Sequence, residues 1–346
     1  MMAKDVTTHE LPAIRTVLDV PAEPVFAELR HKAEDWDMPL RESGDTISVQ
    51  MVGGRLTARS RPEGVQLSVE GDDDANLQML RDFLTDQLAL YGLSPVWTGA
   101  RPRALPANLS LARIVSVARI SPSYRRVTVS GADLARFGQG GLHFRLLFGP
   151  EGAAWPATDG NGVTVWPGGA SAWHRPVYTT RAHWTEGGET RLSFDIFLHE
   201  GGRVTDWSAA ARPGQEIALA GPSGDQGRKE APWQGFVADE TALPAVARML
   251  ARLAPDTRGQ AVIVVPEAED RQPLTHPEGV TLTWLARDRG ADPVAALAAM
   301  DIPEGARHVF FAAEKAEALA ARAALLDRGL AKSEFTAATY WIKGES

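Results

Sequence analysis

From Trp233 onward the chain alternates short apolar runs with alanine-rich helical stretches, and few folds accept that rhythm. The runs are Gly235–Ala238, Ala261–Val265, Thr281–Leu285 and His308–Ala312. Between and after them, Leu243–Leu253, Pro293–Met300 and Glu314–Arg328 are rich in Ala, Leu and Arg and predict helices. Alternation of this kind implies a parallel, doubly wound α/β sheet, with ligands expected beyond the carboxyl ends of its strands.

The stretch before it has another rhythm. Six short strands are predicted, at Leu111–Ile120, Arg126–Ser130, Leu142–Phe148, Val177–Arg181, Leu192–Leu198 and Glu216–Ala220. Turn residues such as Pro213-Gly214 and Gly221-Pro222 separate them, which suggests an antiparallel β-barrel over 107–224. The Gly-, Pro- and Trp-rich segment Pro150–Ala172 reads as a long surface loop. Residues 1–98 read as a small α+β domain of unassigned role. A helix near Glu23–Glu34 precedes strands at Thr46–Val52, Arg55–Ser60 and Val65–Glu70, with the Gly53-Gly54 pair as a hairpin signal. A second helix, Asp74–Leu90, opens on an acidic run and carries Leu77, Leu80, Leu84 and Leu88 at helical spacing. The boundaries expected are 1–98, 107–224 and 232–346.

Composition narrows the chemistry. The 346 residues contain no cysteine, so disulfides, thiolate nucleophiles and cysteine-bound zinc or iron–sulfur clusters are excluded. Electron chemistry would need an organic cofactor or a metal held by nitrogen and oxygen. A formal charge of −8 argues against a nucleic-acid surface. No apolar run reaches the length of a membrane span, and the N-terminus lacks the apolar core of a signal peptide. A soluble, cytoplasmic protein is expected, with a monomer as the simplest state. The histidines show no metal-ligand spacing. His31 and Trp36 in the first helix read as ordinary surface or packing residues.

Two clusters can carry chemistry. In Arg175-Pro176-Val177-Tyr178-Thr179-Thr180-Arg181 an aromatic face can stack on an isoalloxazine ring, a hydroxyl can meet its N5 edge and guanidinium groups can neutralise phosphate. A plain half-buried strand with solvated arginines is the competing reading. In His199-Glu200-Gly201-Gly202-Arg203-Val204-Thr205-Asp206-Trp207 the paired glycines let the backbone approach a pyrophosphate, with Thr205 as a hydroxyl donor. An ordinary glycine-rich turn competes. In the α/β part, Asp239 or Thr241 can cap the helix that Pro244 opens, and such an N-terminus favours a dinucleotide diphosphate. No Gly-x-Gly-x-x-Gly occurs there, which disfavours an ordinary Rossmann dehydrogenase.

Taken in order, these segments resemble the siderophore-interacting protein family, ferredoxin-reductase-like enzymes that reduce ferric siderophores. The resemblance runs over about residues 107–346. It rests on Tyr178-Thr179-Thr180-Arg181, on Phe197-Leu198-His199-Glu200, on Gly202 to Trp207 and on Pro213-Gly214 through Gly221-Pro222. Its most specific part is Asp239-Glu240-Thr241-Ala242-Leu243-Pro244-Ala245, followed by Trp284-Leu285, Ala312-Ala313-Glu314 and Tyr340-Trp341 with Gly344. The chain departs from the pattern at Pro176, where the family has an arginine, and at Glu200, Val204, Thr205 and Ala238. Residues 1–98 resemble an uncharacterised α+β domain found beside such reductases.

The resemblance implies an FAD-binding antiparallel barrel followed by an α/β domain for NADPH or NADH, and reduction of a ferric siderophore as substrate. It implies cofactor contacts at Arg175, Tyr178, Thr179, Arg181, His199, Gly202, Val204, Thr205 and Trp207. For the second domain it implies Asp239, Thr241, Ala242, Leu243, Glu314 and Trp341. Arg287, Lys315 and Lys343 are candidates to steer an anionic chelate. A general NAD(P)H:flavin oxidoreductase, an electron donor to another protein, and a flavin-free iron-chelate binder remain the alternatives.

Overall fold

The computed structural model describes residues 11–36, 38–100, 102–224 and 230–344. They form two compact units. The first comprises the chain up to Ser110 together with Leu146–Pro176 and Ala218–Gly221. The second comprises Leu111–Arg145, Val177–Ile217 and the chain from Pro222 onward.

The N-terminal part runs β1 (Ala13–Leu18), α1 (Ala22–Asp35), β2 (Leu40–Ser43), β3 (Thr46–Met51), β4 (Gly54–Arg61), β5 (Gly64–Gly71) and α2 (Asp74–Ala89). Its antiparallel sheet has the order β1-β5-β4-β3-β2. Period-two alternation puts Ile47, Val49, Leu56, Ala58, Val65, Leu67 and Val69 on one buried face. The β3–β4 hairpin turns at Gly53 and Gly54, where a Cβ on Gly54 would lie 2.1 Å from the Glu70 carbonyl oxygen. Asp73 caps α2 by accepting from the Asn76 N–H at 2.7 Å. The two helices leave a cleft of about 410 Å³ over the sheet, lined largely by apolar side chains including Val25, Leu29, Phe83 and Leu88.

The barrel strands are β6 (Leu109–Ser121), β7 (Tyr124–Gly131) and β8 (His143–Leu147), with the short helix α3 (Arg136–Gln139) between the last two. The expected surface loop holds a small hairpin, β9 (Ala157–Thr158) and β10 (Thr164–Val165). That segment is anchored in the first unit and is not free surface. Asp82 of α2 accepts from the Thr164 N–H at 2.9 Å and its hydroxyl at 2.6 Å, and the Gly162 carbonyl accepts from Gln78 and Arg81 at 2.9 and 2.7 Å. Burial raises the Asp82 carboxyl against these bonds.

The barrel continues with β11 (Val177–Thr179), β12 (Ala182–Glu186), β13 (Glu189–Phe197), α4 (Arg203–Ala210) and β14 (Glu216–Ser223). The sheet order is β11-β8-β14-β6-β7-β13-β12. Its two edge strands are joined only by Thr180 and Arg181. The Thr180 N–H donates to the Leu142 carbonyl at 3.1 Å and the Arg181 N–H to that of Ser193 at 2.8 Å. One residue is thus bonded to each side of the sheet, which curls it into a barrel. Phe144 and Phe194 meet edge to face inside it, with Val127, Val129 and Leu192 around them.

The C-terminal part runs β15 (Trp233–Ala238), α5 (Leu243–Leu250), β16 (Arg258–Val265), β17 (Val280–Ala286), α6 (Pro293–Ala298), β18 (Arg307–Glu314), α7 (Lys315–Asp327) and β19 (Phe335–Trp341). All pairs are parallel, in the order β17-β16-β15-β18-β19. The chain reverses direction across the sheet between β15 and β18, so the switch point lies where Ala238 and Glu314 end their strands. Arg248 of α5 donates to the carbonyls of Leu142 at 2.9 Å and Phe137 at 2.7 Å, which fixes this helix against the barrel. Burial, with the neighbouring Arg252 cation adding to it, lowers its pKa to about 10. No described helix is long and apolar enough to cross a membrane.

Candidate cofactor site

At the switch point the second unit encloses a cavity of about 370 Å³. The barrel supplies Tyr124, His143, Tyr178, Thr179, Asp195, Phe197 and His199 to its wall. The α/β part supplies Glu240, Thr241, Pro244, Thr339 and Tyr340. Parallel strands end at this wall because both β15 and β19 run toward it.

On the barrel side, β11 pairs with β8 so that Thr179 faces His143 and Tyr178 faces Phe144. The Tyr178 ring packs on Phe194 at 5.5 Å, and burial raises its phenol. The Thr179 hydroxyl lies 3.0 Å from His143 Nδ1, and the other ring nitrogen lies 3.4 Å from the Tyr340 hydroxyl. Burial, with the Arg248 cation adding to it, lowers His143 to about 4 and holds it neutral. Asp195 is fully buried and takes a bidentate Arg126 at 2.6 and 2.8 Å, with Arg181 Nε at 3.6 Å.

The turn at 199–207 opens α4. Thr205 accepts from the His199 N–H at 3.2 Å, leaving its hydroxyl proton to donate outward. Gly202 sits so close that a Cβ there would lie 2.8 Å from both the His199 ring and the Thr205 hydroxyl. No side chain caps this helix. Arg125 approaches its first turn and donates to Ser208 Oγ at 2.6 Å. Val204 is buried, and Trp207 is half-buried on the same helix.

On the α/β side, Asp239 is fully buried. Its Oδ1 accepts from the Thr241 N–H at 2.9 Å, the Thr241 hydroxyl at 2.7 Å and the Ala242 N–H at 3.1 Å. Its Oδ2 accepts from the Trp341 indole N–H at 2.7 Å. Glu240 follows it, raised by burial and by Asp239, and its backbone carbonyl accepts from the Tyr124 phenol at 2.6 Å. Ala242 and Leu243 form the buried start of α5.

The structure therefore brings Tyr178, Thr179, His199 and Thr241 to one cavity. Gly202, Val204, Thr205 and Trp207 lie on the adjoining turn and α4, while Asp239, Ala242, Leu243 and Trp341 lie behind the wall. Other expected residues lie elsewhere. The Arg175 guanidinium rests over the Trp166 ring at 4.7 Å. Glu314 caps α7 through the Ala316 N–H and accepts from the Lys343 N–H, bonds that lower its pKa. Arg287 is held by Glu240 at 2.9 Å and Glu317 at 3.2 Å. Lys315 and Lys343 are exposed and do not line the cavity. No motif or residue pattern in the sequence marks His143, Tyr124 or Asp195. Only the β8–β11 register, invisible in a single sequence, puts His143 opposite Thr179.

The residues present fit a flavin dinucleotide. Thr180 Oγ1 is buried with no hydrogen-bond partner, and Arg181 Nε, though within ion-pair distance of Asp195, makes no hydrogen bond. That part of the barrel therefore retains donor capacity suited to a further anionic or carbonyl acceptor. The uncapped α4 and the outward Thr205 hydroxyl add donors for phosphate.

Comparison with known proteins agrees. A family model described as siderophore-interacting FAD-binding domain matches residues 113–226, and one described as siderophore-interacting protein matches 231–344. The ferric vibriobactin reductase ViuB of Vibrio cholerae is 30% identical over 243 residues, covering 66% of this chain and 87% of the relative. The NADPH-dependent ferric-chelate reductase of Escherichia coli K12 is 32% identical over 200 residues, covering 55% of this chain and 76% of the relative. Among solved structures, a siderophore utilization protein from T. fusca superposes with a TM-score of 0.61 at 29% identity, covering 71% of this chain and 97% of that one.

Proposed function

Because the chain belongs to the siderophore-interacting protein family, we propose that it is a flavin-dependent ferric-siderophore reductase drawing electrons from NADPH or NADH. The observation that carries this reading is the single cavity on which Tyr178, Thr179 and His199 of the barrel converge with Thr241 and Pro244 of the α/β part. Bound FAD supplies the conversion of a two-electron hydride donor into one-electron steps.

The chain's own residues divide the work. Tyr178 offers a ring face and Thr179 a hydroxyl to the flavin ring. Arg181, Thr205 and the uncapped start of α4 offer charge and N–H groups to its diphosphate. The start of α5, set by Asp239, offers the donor dinucleotide its own N–H groups. Phe197 and Tyr340 narrow the cavity and limit water. Residues 107–224 would then hold FAD and 232–346 the nicotinamide donor, with the role of 1–98 unassigned. Iron enters only as substrate, and Fe(II) leaves a hard-oxygen chelate more readily than Fe(III).

The test is anaerobic titration of FAD-loaded protein with NADPH and with NADH, followed by a ferric siderophore and an Fe(II) trap. Bleaching of the flavin band and stoichiometric trapped Fe(II) are expected. Bleaching with transfer to quinones or dyes but not to ferric siderophore would favour a general oxidoreductase. A colourless protein that cannot take up FAD would favour a chelate binder.

A further inference from the structure

His143 and Tyr340 do more than close one cavity. Both also line a second chamber of about 160 Å³, together with Gln234, Thr336 and His308. The two side chains form the partition between the chambers, with the His143 and Tyr340 rings edge to face at 5.7 Å. On one side the ring meets the Thr179 hydroxyl at 3.0 Å, and on the other the Tyr340 hydroxyl at 3.4 Å. The second chamber is mostly apolar, lined by Leu142, Phe236, Met249, Phe310 and Ala338, but it is roomy enough for water. Gln234, Thr336 and His308 give that water polar partners beside the Tyr340 hydroxyl.

Resting on the reading that Thr179 meets the flavin N5 edge, we propose that Thr179, His143 and Tyr340 form a proton relay from the flavin site into the inner chamber. The reaction needs such an exit. One NAD(P)H and two Fe(III) give one NAD(P)⁺, two Fe(II) and one proton. The electrons leave one at a time to iron, and the proton delivered with the hydride has to leave the cavity as well. In the relay Thr179 takes that proton while its own passes to His143 Nδ1. The Nε2 proton passes to Tyr340, and the phenol proton passes to water in the chamber. One proton is moved and none is kept.

The electrostatics suit transfer over storage. Burial lowers the His143 ring, and the Arg248 cation adds to it. The imidazole therefore hands a proton on at neutral pH and does not hold it. Tyr340, raised by burial and by Asp239, stays a neutral hydroxyl that can accept and donate at once.

The experiment uses FAD-loaded full-length protein, with His143→Gln, Tyr340→Phe and Thr179→Val as variants. Three quantities are read: FAD affinity and visible spectrum, the rate at which reduced protein is reoxidised by a ferric chelate, and proton release followed with an indicator dye. His143→Gln and Tyr340→Phe are expected to keep FAD affinity within about threefold. They are expected to slow reoxidation and proton release together by about 100-fold, the lower range for a positioned acid–base group. Wild type should show a solvent deuterium effect on both signals. Unslowed proton release in His143→Gln with FAD bound overturns the relay alone. A Thr179→Val variant with an unchanged flavin spectrum overturns the placement of the flavin, and the relay with it.

Discussion

Replacing Asp239 with asparagine should cost far more than the loss of one surface charge. The carboxylate is fully buried and accepts four hydrogen bonds, three at the start of α5 and one from the Trp341 indole. Asparagine can keep its oxygen toward Thr241 and Ala242, which forces its NH₂ group against the Trp341 N–H. One charge-assisted bond, worth about 1.5–3 kcal/mol, is lost, and two donors then face each other. The net cost is about 2–3 kcal/mol, or roughly 5–10 °C in melting temperature for a unit of this size. Asp239→Ala removes both acceptor oxygens and all four hydrogen bonds, and should cost about 3–5 kcal/mol after water enters. Trp341→Phe deletes only the indole donor, so the Asp239→Asn and Trp341→Phe costs should couple by about 1–2 kcal/mol in a double-mutant cycle. The assay is thermal and urea unfolding at pH 7.5 of wild type, the three single variants and the Asp239→Asn/Trp341→Phe double variant. An Asp239→Ala protein that melts within 1 °C of wild type, or strictly additive variants, would refute the reasoning. The carboxylate would then not be the peg that joins the end of β15 to the end of β19.

His143 should make stability pH-dependent in one direction. Its folded pKa of about 4 lies below an unfolded value near 6.5, so the stability it contributes is complete above pH 6.5 and is lost as pH falls from 6.5 toward 4. The loss is up to about 3 kcal/mol, and urea midpoints for His143→Gln should fall less steeply over that window than those of wild type. Gly202→Ala should press a methyl group on the His199 ring and the Thr205 hydroxyl, lowering FAD affinity about tenfold in a fluorescence titration. Wild-type affinity in that variant would mean the turn does not meet the cofactor. In the N-terminal cleft, Leu88→Phe should fill space above the sheet and raise stability by about 0.5–2 kcal/mol by differential scanning calorimetry.

Elements whose cause is local were legible in the sequence, and those whose cause is pairing were not. The helix from Asp74 announces itself by an aspartate cap and leucines at helical spacing, and its observed span Asp74–Ala89 follows the pattern closely. The β15, β16, β17 and β18 strands likewise coincide with apolar runs. By contrast, β1, β2 and β12 are short and exposed to solvent on one or both sides, and no local pattern marks them as strands. The last strand, β19, holds Thr, Ala and Tyr with only Phe335 fully buried, so nothing marked it except its final Tyr340-Trp341. The segment Pro150–Ala172 looked like free loop because its composition is glycine- and proline-rich. What holds it is a set of bonds to α2 about eighty residues earlier in the chain, and no local signal reports those. The same limit applies to the site. Tyr178, Thr179 and Thr205 stood out by residue type, whereas His143 and Asp195 matter only through the strands they face.

The charges around the cavity explain why so few of them are available for chemistry. Asp195 is held by Arg126 and approached by Arg181, Glu240 shares Arg287 with Glu317, and Asp239 is spent on α5 and Trp341. Each of these groups would be costly to bury alone, and the partners turn it into a fixed part of the wall. Arg287 in particular cannot steer an anionic chelate without first leaving two carboxylates, so substitution there should act on the wall before it acts on substrate capture. What remains mobile in protonation or hydrogen bonding is neutral: the Thr179, Thr205 and Tyr340 hydroxyls and the His143 ring. A site built from committed charges and uncommitted hydroxyls can accept a large, polyanionic cofactor through directed donors without a surplus of positive charge. That arrangement suits electron transfer, because the wall need not reorganise as the cavity gains and loses electrons.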